Sequence, residues 1–403
     1  MSEKYLKEYE AGYTPKLVME EASRCLLCHD APCSKACPAG TDPAKFIRSV
    51  RFKNFKGAAE TVRINNILGA ICARVCPTER YCQLGCSRSG IDKPIDIGRI
   101  QRFVTDFEDC VKMDILEVKP SNGKRVAVVG SGPAGLSVAG LLAQDGCKVV
   151  VYEKEAKAGG YLRYGIPEYR LPSAVVYKEI KRIQKLGVEI VTSHPVSDLK
   201  ALQKEYDAVV LASGHSLGKM LPMFEGHRFV KTAVNFLHNC KRKKGQVKVP
   251  DNVLVIGGGD VAMDVVTTLK LLGVKQVTDV VYETFAEFKA SKKELQGAQA
   301  EGVSIIDGYV PVSLKGKTVR FAHRFVPAEL KVKADLIILA VGQATEAGQF
   351  GLEVNKLQEV EKTEGNLFTC GDIYKGTEKT VVYAVRSAKE VAYKVKKYLG
   401  GKK

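Results

Sequence analysis

The chain has 403 residues, a mass of 44.0 kDa, a formal charge of +17 and 45% hydrophobic residues. This length is too great for one ordinary core and favours about three domains. Aromatic residues make up only 7%, Trp is absent and no basic run alternates with aromatic residues, so nucleic-acid binding is not expected despite the basic pI of 9.2.

The first ten residues are mostly charged and polar and contain no hydrophobic signal segment. No run in the chain approaches the roughly 18 apolar residues that a membrane span requires. We therefore expect a cytoplasmic protein without membrane association. A reducing cytoplasm disfavours disulfides, which shifts clustered cysteines toward metal binding.

Eight of the twelve cysteines lie in the first 86 residues at short spacing. They are Cys25, Cys28, Cys33, Cys37, Cys72, Cys76, Cys82 and Cys86. Thiolates at such spacing hold either zinc or iron–sulfur clusters. The nucleotide-binding patterns that follow favour clusters, because structural zinc would leave the electrons of a flavin without an exit. The spacing alone leaves zinc open.

The N-terminal region, from Lys4 to about Val118, has a helical pattern. Asp42 can cap a helix with Pro43 in its first turn. A second helix is predicted from Asp96 to Asp109, with its apolar residues on one face. The turn-forming residues 120–123 then mark a domain boundary.

A parallel βαβ unit follows this boundary. Its strands are predicted at Arg125–Val129 and Cys147–Tyr152, with a helix at Gly135–Asp145 between them. The connecting turn is Gly130-Ser131-Gly132-Pro133-Ala134-Gly135, and Glu153 ends the second strand. Such a turn lets a helix N-terminus face a pyrophosphate while the carboxylate accepts hydrogen bonds from ribose hydroxyls, so it predicts a dinucleotide site.

The same order recurs at Asn252–Ile256, Val261–Leu272 and Gln276–Tyr282. Here the turn is Gly257-Gly258-Gly259-Asp260-Val261-Ala262. Tyr282-Glu283 follows the second strand, and a carboxylate there repels a 2′-phosphate but accepts from a free 2′-hydroxyl, so NADH is predicted. Lys289 lies nearby in sequence and would partly compensate.

The C-terminal segment, Asn366 to Leu399, is too short to stand alone. It combines a predicted strand at Leu367–Cys370, the pair Gly371-Asp372 and a helix from about Thr380. We expect it to return to the first nucleotide fold, which leaves the second fold inserted in the first.

Several motifs carry a resemblance to a known family. The runs Glu21 to Cys33, Cys37-Pro38, Cys76-Pro77-Thr78 and Pro94 to Gly98 resemble the N-terminal domain of dihydropyrimidine dehydrogenases. The small subunit of glutamate synthase is similar but more distant. The resemblance spans essentially the whole chain and implies an α/β protein. An all-helical iron–sulfur domain (1–120) would precede two Rossmann-like domains, with the NAD(H) domain (232–343) inserted in the FAD domain (121–231 and 344–403).

The resemblance also implies two [4Fe–4S] clusters whose ligands cross between the cysteine runs. Cluster 1 would be held by Cys25, Cys28, Cys33 and Cys86. Cluster 2 would be held by Cys37, Cys76, Cys82 and Gln101, with Cys72 as a packed thiol. From the sequence alone, Gln101 is only a polar residue beside the apolar face of a helix. A neutral amide ligand would change the potential of its cluster.

Nucleotide-binding residues follow from the two Gly-rich turns and from the resemblance together. Those expected to bind FAD are Gly130, Ser131, Gly132, Pro133, Ala134, Gly135, Glu153, Lys154, Gly160, Tyr161, Arg170, Gly371, Asp372, Thr380 and Val381. Those expected to bind NAD are Gly257, Gly259, Asp260, Val261, Ala262, Tyr282, Glu283, Lys289, Ala340 and Gly342. No catalytic acid or base is expected in this chain.

The function implied is electron input. NADH would reduce FAD, and two clusters would pass the electrons to a partner subunit containing FMN and iron–sulfur clusters, which reduces uracil or thymine reversibly to the 5,6-dihydro form. The alternatives are a glutamate synthase small subunit or another NAD(P)H-dependent bifurcating or ferredoxin-linked oxidoreductase. A zinc-stapled nucleotide sensor is the non-enzymatic alternative. Tyr282-Glu283 and the closer N-terminal match count against glutamate synthase.

Overall fold

A computed structural model describes residues 3–400 of the chain. These residues form two compact units. The smaller unit comprises the described residues up to Tyr9, together with Tyr164–Pro172 and Ser216–Ala344. The larger unit comprises Glu10–Arg163, Ser173–His215 and the described residues from Thr345 onward.

The helices of the described residues are α1 (Glu3–Leu6), α2 (Pro15–Ser23), α3 (Pro32–Lys35), α4 (Pro43–Arg51), α5 (Phe55–Asn65), α6 (Gly69–Val75), α7 (Ile97–Cys110), α8 (Pro133–Gln144), α9 (Tyr161–Tyr164), α10 (Ser173–Lys185), α11 (Leu199–Glu205), α12 (Ala233–Arg242), α13 (Asp260–Leu271), α14 (Lys292–Ala300) and α15 (Val381–Leu399). Short 3-10 turns occupy Thr78–Arg80, Ser87–Gly90, Pro222–Phe224, Phe285–Glu287, Ala347–Phe350 and Gly371–Ile373.

The strands of the same residues are β1 (Arg125–Val129), β2 (Lys148–Tyr152), β3 (Glu189–Val191), β4 (Ala208–Leu211), β5 (Leu217–Gly218), β6 (Val230–Thr232), β7 (Asn252–Ile256), β8 (Gln276–Val280), β9 (Ser304–Ile306), β10 (Tyr309–Lys315), β11 (Thr318–His323), β12 (Glu329–Lys333), β13 (Leu336–Leu339), β14 (Gln343–Ala344) and β15 (Leu367–Thr369).

The N-terminal part of the larger unit is a helical layer, as predicted. The Asp42 carboxylate caps α4 by accepting from the Lys45 N–H at 3.3 Å, and the Asp96 carboxylate caps α7 by accepting from the Arg99 N–H at 3.3 Å. Both caps satisfy backbone donors that the first helical turn leaves unpaired. The helices bury one shared apolar core, which includes Phe46, Val62 and Ile100.

The flavin-type sheet of the larger unit is fully parallel, with strand order β15-β4-β1-β2-β3. Strand β15 comes from the C-terminal segment and pairs with β4, while α15 packs against α8. The C-terminal segment therefore returns to the first nucleotide fold, and the second fold is inserted in it, as the sequence predicted.

The smaller unit contains a second parallel sheet, with strand order β6-β13-β7-β8-β9. An antiparallel sheet of β10, β11 and β12 supplies Val319 and Phe321 to a core shared with Leu254 and Ile337. This antiparallel sheet has no counterpart in the sequence analysis. The domain boundary expected between residues 231 and 232 falls inside β6, and the smaller unit begins earlier, at Ser216.

Candidate functional site

The four thiols expected at cluster 1 line one recess. Cys25, Cys28, Cys33 and Cys86 line a recess of about 370 Å³ that is partly open to solvent, and Leu26 and Arg88 are among the other residues that line it. Gly85 carries the chain past α3, and a Cβ on Gly85 would lie 3.0 Å from the Pro32 carbonyl oxygen. Cys86 thereby reaches three cysteines that precede it by more than 50 residues. We call these four residues the first thiol group.

Burial raises the pKa of Cys25 and of Cys33, for Cys33 to about 11, and the neighbouring Cys86 thiol adds to both shifts. The Arg51 guanidinium donates to the Cys25 carbonyl oxygen at 3.0 Å and stabilises a thiolate at Cys25. Ligation requires deprotonated sulfur, so a cationic centre must offset this burial. Among residues 3–400, no group of three or more His, Cys, Asp or Glu side chains is placed to hold a single metal ion.

A second thiol group lies around Cys37, Cys76 and Cys82. Burial is the main cause that raises the pKa of Cys76 and Cys82, and Cys37 raises the pKa of both further. Cys72, on α6, is also an electrostatic neighbour of Cys76 and Cys37. Hence the structure brings the three predicted cysteines together and adds Cys72 to their surroundings. Burial raises the pKa of Cys72 to about 12.

Gln101 is buried on α7 and is 7% exposed, whereas the sequence alone suggests a capped or solvated amide beside the apolar face of the helix. Its Nε2 donates to the Gly69 carbonyl oxygen at 2.7 Å, at the start of the helix that carries Cys72. With the amide nitrogen engaged, the side-chain oxygen is the atom that remains for an iron. The ligand role of Gln101 stays a prediction.

The Gly-rich turn after β1 has the geometry of a phosphate cradle. Gly130 has φ +103°, and a Cβ there would lie 2.5 Å from the Ala212 carbonyl oxygen. A Cβ on Gly135 would lie 1.9 Å from the Gly130 carbonyl oxygen. Gly132 is the N-cap of α8, and a Cβ on it would meet no atom within 4 Å, which leaves open space at the helix N-terminus. These features fit a bound pyrophosphate.

Glu153 lies at the end of β2 and is buried at 5% exposure. Its carboxylate accepts from the Ser131 N–H at 3.0 Å, from the Ser131 hydroxyl and from the Glu155 N–H at 2.8 Å. The Ser131 hydroxyl oxygen in turn accepts from the Gly159 N–H at 2.9 Å. This network ties the Gly-rich turn, the acid and the loop before α9 into one site.

Other predicted FAD residues converge on the same turn. A Cβ on Gly160 would lie 2.7 Å from the Gly132 Cα, and a Cβ on Gly371 would lie 2.7 Å from the Ala134 Cβ. The Thr380 hydroxyl caps α15 by accepting from the Tyr383 N–H at 3.4 Å, and Val381 begins that helix. Pro133 is the first residue of α8, and Tyr161 begins α9.

Asp372 and Lys154, which are expected near the flavin, also have charged or ionisable neighbours within the protein. Burial raises the pKa of Asp372, while His215 and Lys379 lower it. The Lys154 ammonium pairs with the Glu346 carboxylate at 2.6 Å.

The loop that follows β4 also contacts the Gly-rich turn after β1, and the sequence did not predict it. Ala212 closes the space against Gly130, Gly214 has φ +62°, and buried His215 has its Nε2 3.0 Å from the Gln358 carbonyl oxygen. A signal existed, because Ala212-Ser-Gly214 repeats the pattern Ala340-Val-Gly342 after an equally short apolar strand.

Arg170 has a different setting from the other predicted FAD residues. It belongs to the smaller unit, where its guanidinium binds the Asp264 carboxylate at 2.7 and 2.8 Å and Glu294 at 3.0 Å. Burial raises the pKa of Asp264 to about 7, against the lowering effect of Arg170. Arg170 therefore has two carboxylate partners within its own unit, and its flavin contact stays a prediction.

The second Gly-rich turn repeats the first. Gly257 has φ +157°, and a Cβ there would lie 2.5 Å from the Ala340 carbonyl oxygen. Gly259, the N-cap of α13, has open space where its Cβ would be, and Ala262 is buried. Gly342, two residues after Ala340, has φ +109°. The turn thus fits a second dinucleotide.

Glu283 lies directly against this turn, since its Oε2 is 2.9 Å from the position of a Cβ on Gly258. Its carboxylate pairs with the Lys289 ammonium at 2.6 Å. The Arg324 guanidinium lies 4.0 Å from the ring centroid of Tyr282 and donates to the Tyr282 carbonyl oxygen at 3.0 Å. Arg324 was missed because it comes from the distant β11–β12 connection.

The remaining predicted residues of this turn have structural roles. The Asp260 carboxylate accepts from the Ser291 N–H at 2.7 Å, and Val261, on α13, packs against the apolar core of the smaller unit.

Comparison with known families matches the helical N-terminal region and the two nucleotide-binding folds separately. Residues 2–113 match the family described as dihydropyrimidine dehydrogenase domain II, 4Fe-4S cluster. Residues 124–388 match the pyridine nucleotide-disulphide oxidoreductase family. The N-terminal match overturns zinc as the interpretation of the cysteines, and a 4Fe–4S domain precedes an FAD- and NAD-binding reductase fold.

Known proteins and structures are similar over most of the chain. A thioredoxin reductase structure from Lactococcus lactis has a TM-score of 0.55 at 20% identity, covering 69% of this chain and 99% of its own, which shows the reductase fold. The NADP(+)-dependent formate dehydrogenase subunit beta of Moorella thermoacetica is 31% identical over 92% of this chain and 60% of its own length. No helix within residues 3–400 is long and apolar enough to cross a membrane.

A much higher similarity comes from the NAD-dependent dihydropyrimidine dehydrogenase subunit PreT of Escherichia coli O157:H7. That protein is 51% identical, and the match covers 98% of both chains. The Salmonella typhi homolog is likewise 51% identical over 98% of this chain. These relatives are named as subunits, and the chain is an oxidoreductase that belongs to the family of the NAD-dependent dihydropyrimidine dehydrogenase subunit PreT.

Proposed function

We propose that this chain is the electron-input subunit of an NAD-dependent dihydropyrimidine dehydrogenase. The observation that carries the proposal is the convergence of Cys25, Cys28, Cys33 and Cys86 on one recess, in a chain 51% identical to PreT along its whole length. When bound, NADH supplies a hydride, FAD divides the electron pair, and the iron–sulfur clusters carry single electrons.

The residues of the chain bind and orient these groups. The N-termini of α8 and α13 each face open space at Gly132 and Gly259, where backbone N–H groups suit a pyrophosphate. Glu283 selects NADH over NADPH because its carboxylate lies against the second turn and accepts from a 2′-hydroxyl. Hydride transfer needs orientation rather than a protein acid or base.

Helix α15 connects the proposed flavin site to the second thiol group. Its N-terminus begins at Val381, and Lys389, about 12 Å further along the helix axis, donates to the Ala39 carbonyl oxygen next to Cys37. The Tyr81 hydroxyl, in the segment between Cys76 and Cys82, donates to Glu378 at 2.6 Å. We therefore assign cluster 2, with Gln101 as its fourth ligand, as the first acceptor from the flavin.

The first thiol group suits the exit of electrons. Leu26, which lines its recess, is 44% exposed, and Leu84, two residues before Cys86, is 74% exposed. Leu26 lines the recess and Leu84 lies close to Cys86 in sequence, so both exposed leucines are available for contact with another protein. We assign this surface to the partner, an FMN- and iron–sulfur-containing catalytic subunit that reduces uracil and thymine in the cytoplasm.

A test uses the subunit purified anaerobically, alone and in complex with that partner. Cys28→Ala should abolish NADH-dependent uracil reduction by the complex, while NADH still bleaches the flavin of the isolated chain, because cluster 1 lies after the flavin. Cys110→Ala is the matched control, since Cys110 is exposed on α7 and belongs to neither thiol group. It should leave both measurements unchanged.

Two results would overturn the proposal. One is a complex of the Cys28→Ala chain that reduces uracil at the wild-type rate. The other is a wild-type chain that supports glutamate formation with a glutamate synthase large subunit but no uracil reduction with the FMN subunit.

A further inference from the structure

Lys389 lies on the face of α15 that packs against α6 and the Cys37 loop. Its ammonium donates to the Ala39 carbonyl oxygen at 2.5 Å, and a Cβ on Gly40 would lie 4.0 Å from its Nζ. The same loop folds over Cys37, whose sulfur accepts from the Thr41 N–H at 3.4 Å. A cation is thereby fixed beside the thiol that begins the second group.

The Lys389 ammonium lies near thiols rather than carboxylates. Its ionisable neighbours are the thiols of Cys37 and Cys72, and within residues 3–400 no carboxylate forms an ion pair with it. Two other lysines of the larger unit have carboxylate partners, because Lys154 pairs with Glu346 and Lys379 with Glu359. A half-buried ammonium without a counter-charge is unfavourable. Burial lowers the pKa of Lys389, and negative charge at Cys37 and Cys72 opposes that shift, so a negatively charged group at these thiols would stabilise the ammonium.

We propose that Lys389 is the counter-ion of cluster 2 and raises its reduction potential relative to cluster 1. This inference rests on the proposed ligands Cys37, Cys76, Cys82 and Gln101. Iron–sulfur clusters with thiolate ligands carry net negative charge, which grows by one unit on reduction. A fixed cation beside Cys37 stabilises the reduced form more than the oxidised form, so it favours electron acceptance from the flavin.

Lys389 also makes a backbone hydrogen bond, and the test must separate that contact from the charge. Lys389→Gln keeps a donor for the Ala39 carbonyl oxygen but removes the charge, and Lys389→Arg keeps both. Lys397→Gln is the matched control, because Lys397 is exposed on the same helix. Each holoprotein is titrated potentiometrically with the reduced clusters monitored by EPR, and iron and acid-labile sulfide are counted beforehand.

We expect Lys389→Gln to make the one-electron reduction of a single cluster about tenfold less favourable, a fall of about 59 mV. The other cluster should keep its potential, and Lys389→Arg and Lys397→Gln should match wild type. The cluster that moves should be the one whose potential also changes in Gln101→Cys. That coincidence identifies it as cluster 2.

Different results would reject the counter-ion role of Lys389 and the proposed ligands of cluster 2. Unchanged potentials in a fully loaded Lys389→Gln protein would reject the counter-ion role and leave the ligand assignment standing. If Lys389→Gln loses iron while Lys389→Arg retains it at the wild-type potential, the charge is needed for cluster assembly, which also supports a counter-ion. A wild-type chain with one cluster only, or a Gln101→Cys protein with unaltered potentials, would reject the proposed ligands instead.

Discussion

The two Gly-rich turns have the same backbone arrangement but differ in how closely the helix that follows approaches the turn. Gly130 faces the Ala212 carbonyl oxygen and Gly257 faces the Ala340 carbonyl oxygen, each at 2.5 Å from a Cβ that glycine lacks. The last residue of the motif differs between the two turns. A Cβ on Gly135 would lie 1.9 Å from the Gly130 carbonyl oxygen, whereas the corresponding residue of the second turn, Ala262, has a Cβ. The helix of the first fold thus lies nearer its turn, and the two sites tolerate substitution differently.

The largest effect on flavin binding is expected from exchanging Gly135 and Ala262. Gly135→Ala should reduce the flavin content of the purified protein more than tenfold, because relieving the overlap moves α8 away from the turn and overpacking costs about 1–3 kcal/mol. Ala262→Gly should cost only about 1 kcal/mol, the helix propensity difference. Flavin absorbance per protein and thermal unfolding measure both. Full flavin content in Gly135→Ala would show that the two turns are equivalent.

The ion-pair clusters of the two units offer a second contrast. Arg63 in the larger unit binds Glu108 and Glu179, and all three side chains are at most 1% exposed. Arg170 in the smaller unit binds Asp264 and Glu294 with 15% of its side chain exposed. Removing one partner from a buried pair costs about 3–5 kcal/mol. Arg182 also contacts Glu108 at 3.3 Å and Glu179 at 2.5 Å, so part of their charge stays compensated when Arg63 is removed.

Arg63→Met should lower the free energy of unfolding by less than that full amount, because Arg182 remains beside both carboxylates. Arg170→Met should lower it by less again, because its site is more exposed to water. Urea denaturation followed separately by flavin fluorescence and far-UV circular dichroism checks the ranking. Flavin content of Arg170→Met reports in addition on the predicted flavin contact. Equal losses in the two variants would show that the difference in exposure has no energetic consequence.

Sequence reasoning succeeded where local chemistry decides the structure. The strands Arg125–Val129 and Asn252–Ile256 have the predicted bounds, since each is a short apolar run bounded by glycine or polar residues. The C-terminal segment was placed correctly, because a lone strand and helix cannot bury their own apolar faces.

The sequence did not predict contacts between residues that are far apart along the chain. It also did not predict strands in which apolar residues alternate with charged ones. Strand β12 is Glu-Leu-Lys-Val-Lys, half exposed, and gives no buried-strand signal. The contact of Arg324 with Tyr282 joins residues 42 positions apart. Cys86 was assigned to Cys25, Cys28 and Cys33 only through family resemblance, because spacing alone pairs it with Cys82.

Glu153 and Glu283 follow the second strand of their βαβ units but have different partners, and only Glu283 is expected to determine the choice of coenzyme. Glu153 is satisfied by backbone and hydroxyl donors of its own turn, whereas Glu283 is held by Lys289. Glu283→Arg should shift the ratio of kcat/KM for NADPH over NADH upward by about 10- to 100-fold, or about 1.4–2.7 kcal/mol, since it exchanges repulsion of a 2′-phosphate for attraction. Glu153→Gln is the control, which should lower flavin content without altering that ratio. A ratio unchanged in Glu283→Arg would contradict the role of Glu283.

The two sheets also differ at Asp279 on β8, whose counterpart in the first sheet is Val151 on β2. Asp279 on β8 pairs in register with Val255, as Val151 on β2 pairs with Val128. Asp279 is fully buried, and neither carboxylate oxygen has a hydrogen-bond partner within the described residues. Burial raises its pKa well above the ordinary 3.8, so the folded protein retains a proton that the unfolded chain releases. Stability is therefore lost as the pH rises above about 4, with a slope of at most about 1.4 kcal/mol per pH unit.

Asp279→Val, which copies the first sheet, should remove this slope and stabilise the smaller unit by about 1–3 kcal/mol near neutral pH. Urea unfolding at pH 5, 6, 7 and 8 should show a gap to wild type that widens with pH. Asp251→Asn is the control, because Asp251 is 64% exposed and pairs with Lys275 at the surface. A gap independent of pH would mean that Asp279 is already ionised in the folded protein. The unpaired carboxylate would then have to meet a cation or bound water within the sheet, which Val151 in the first fold does without.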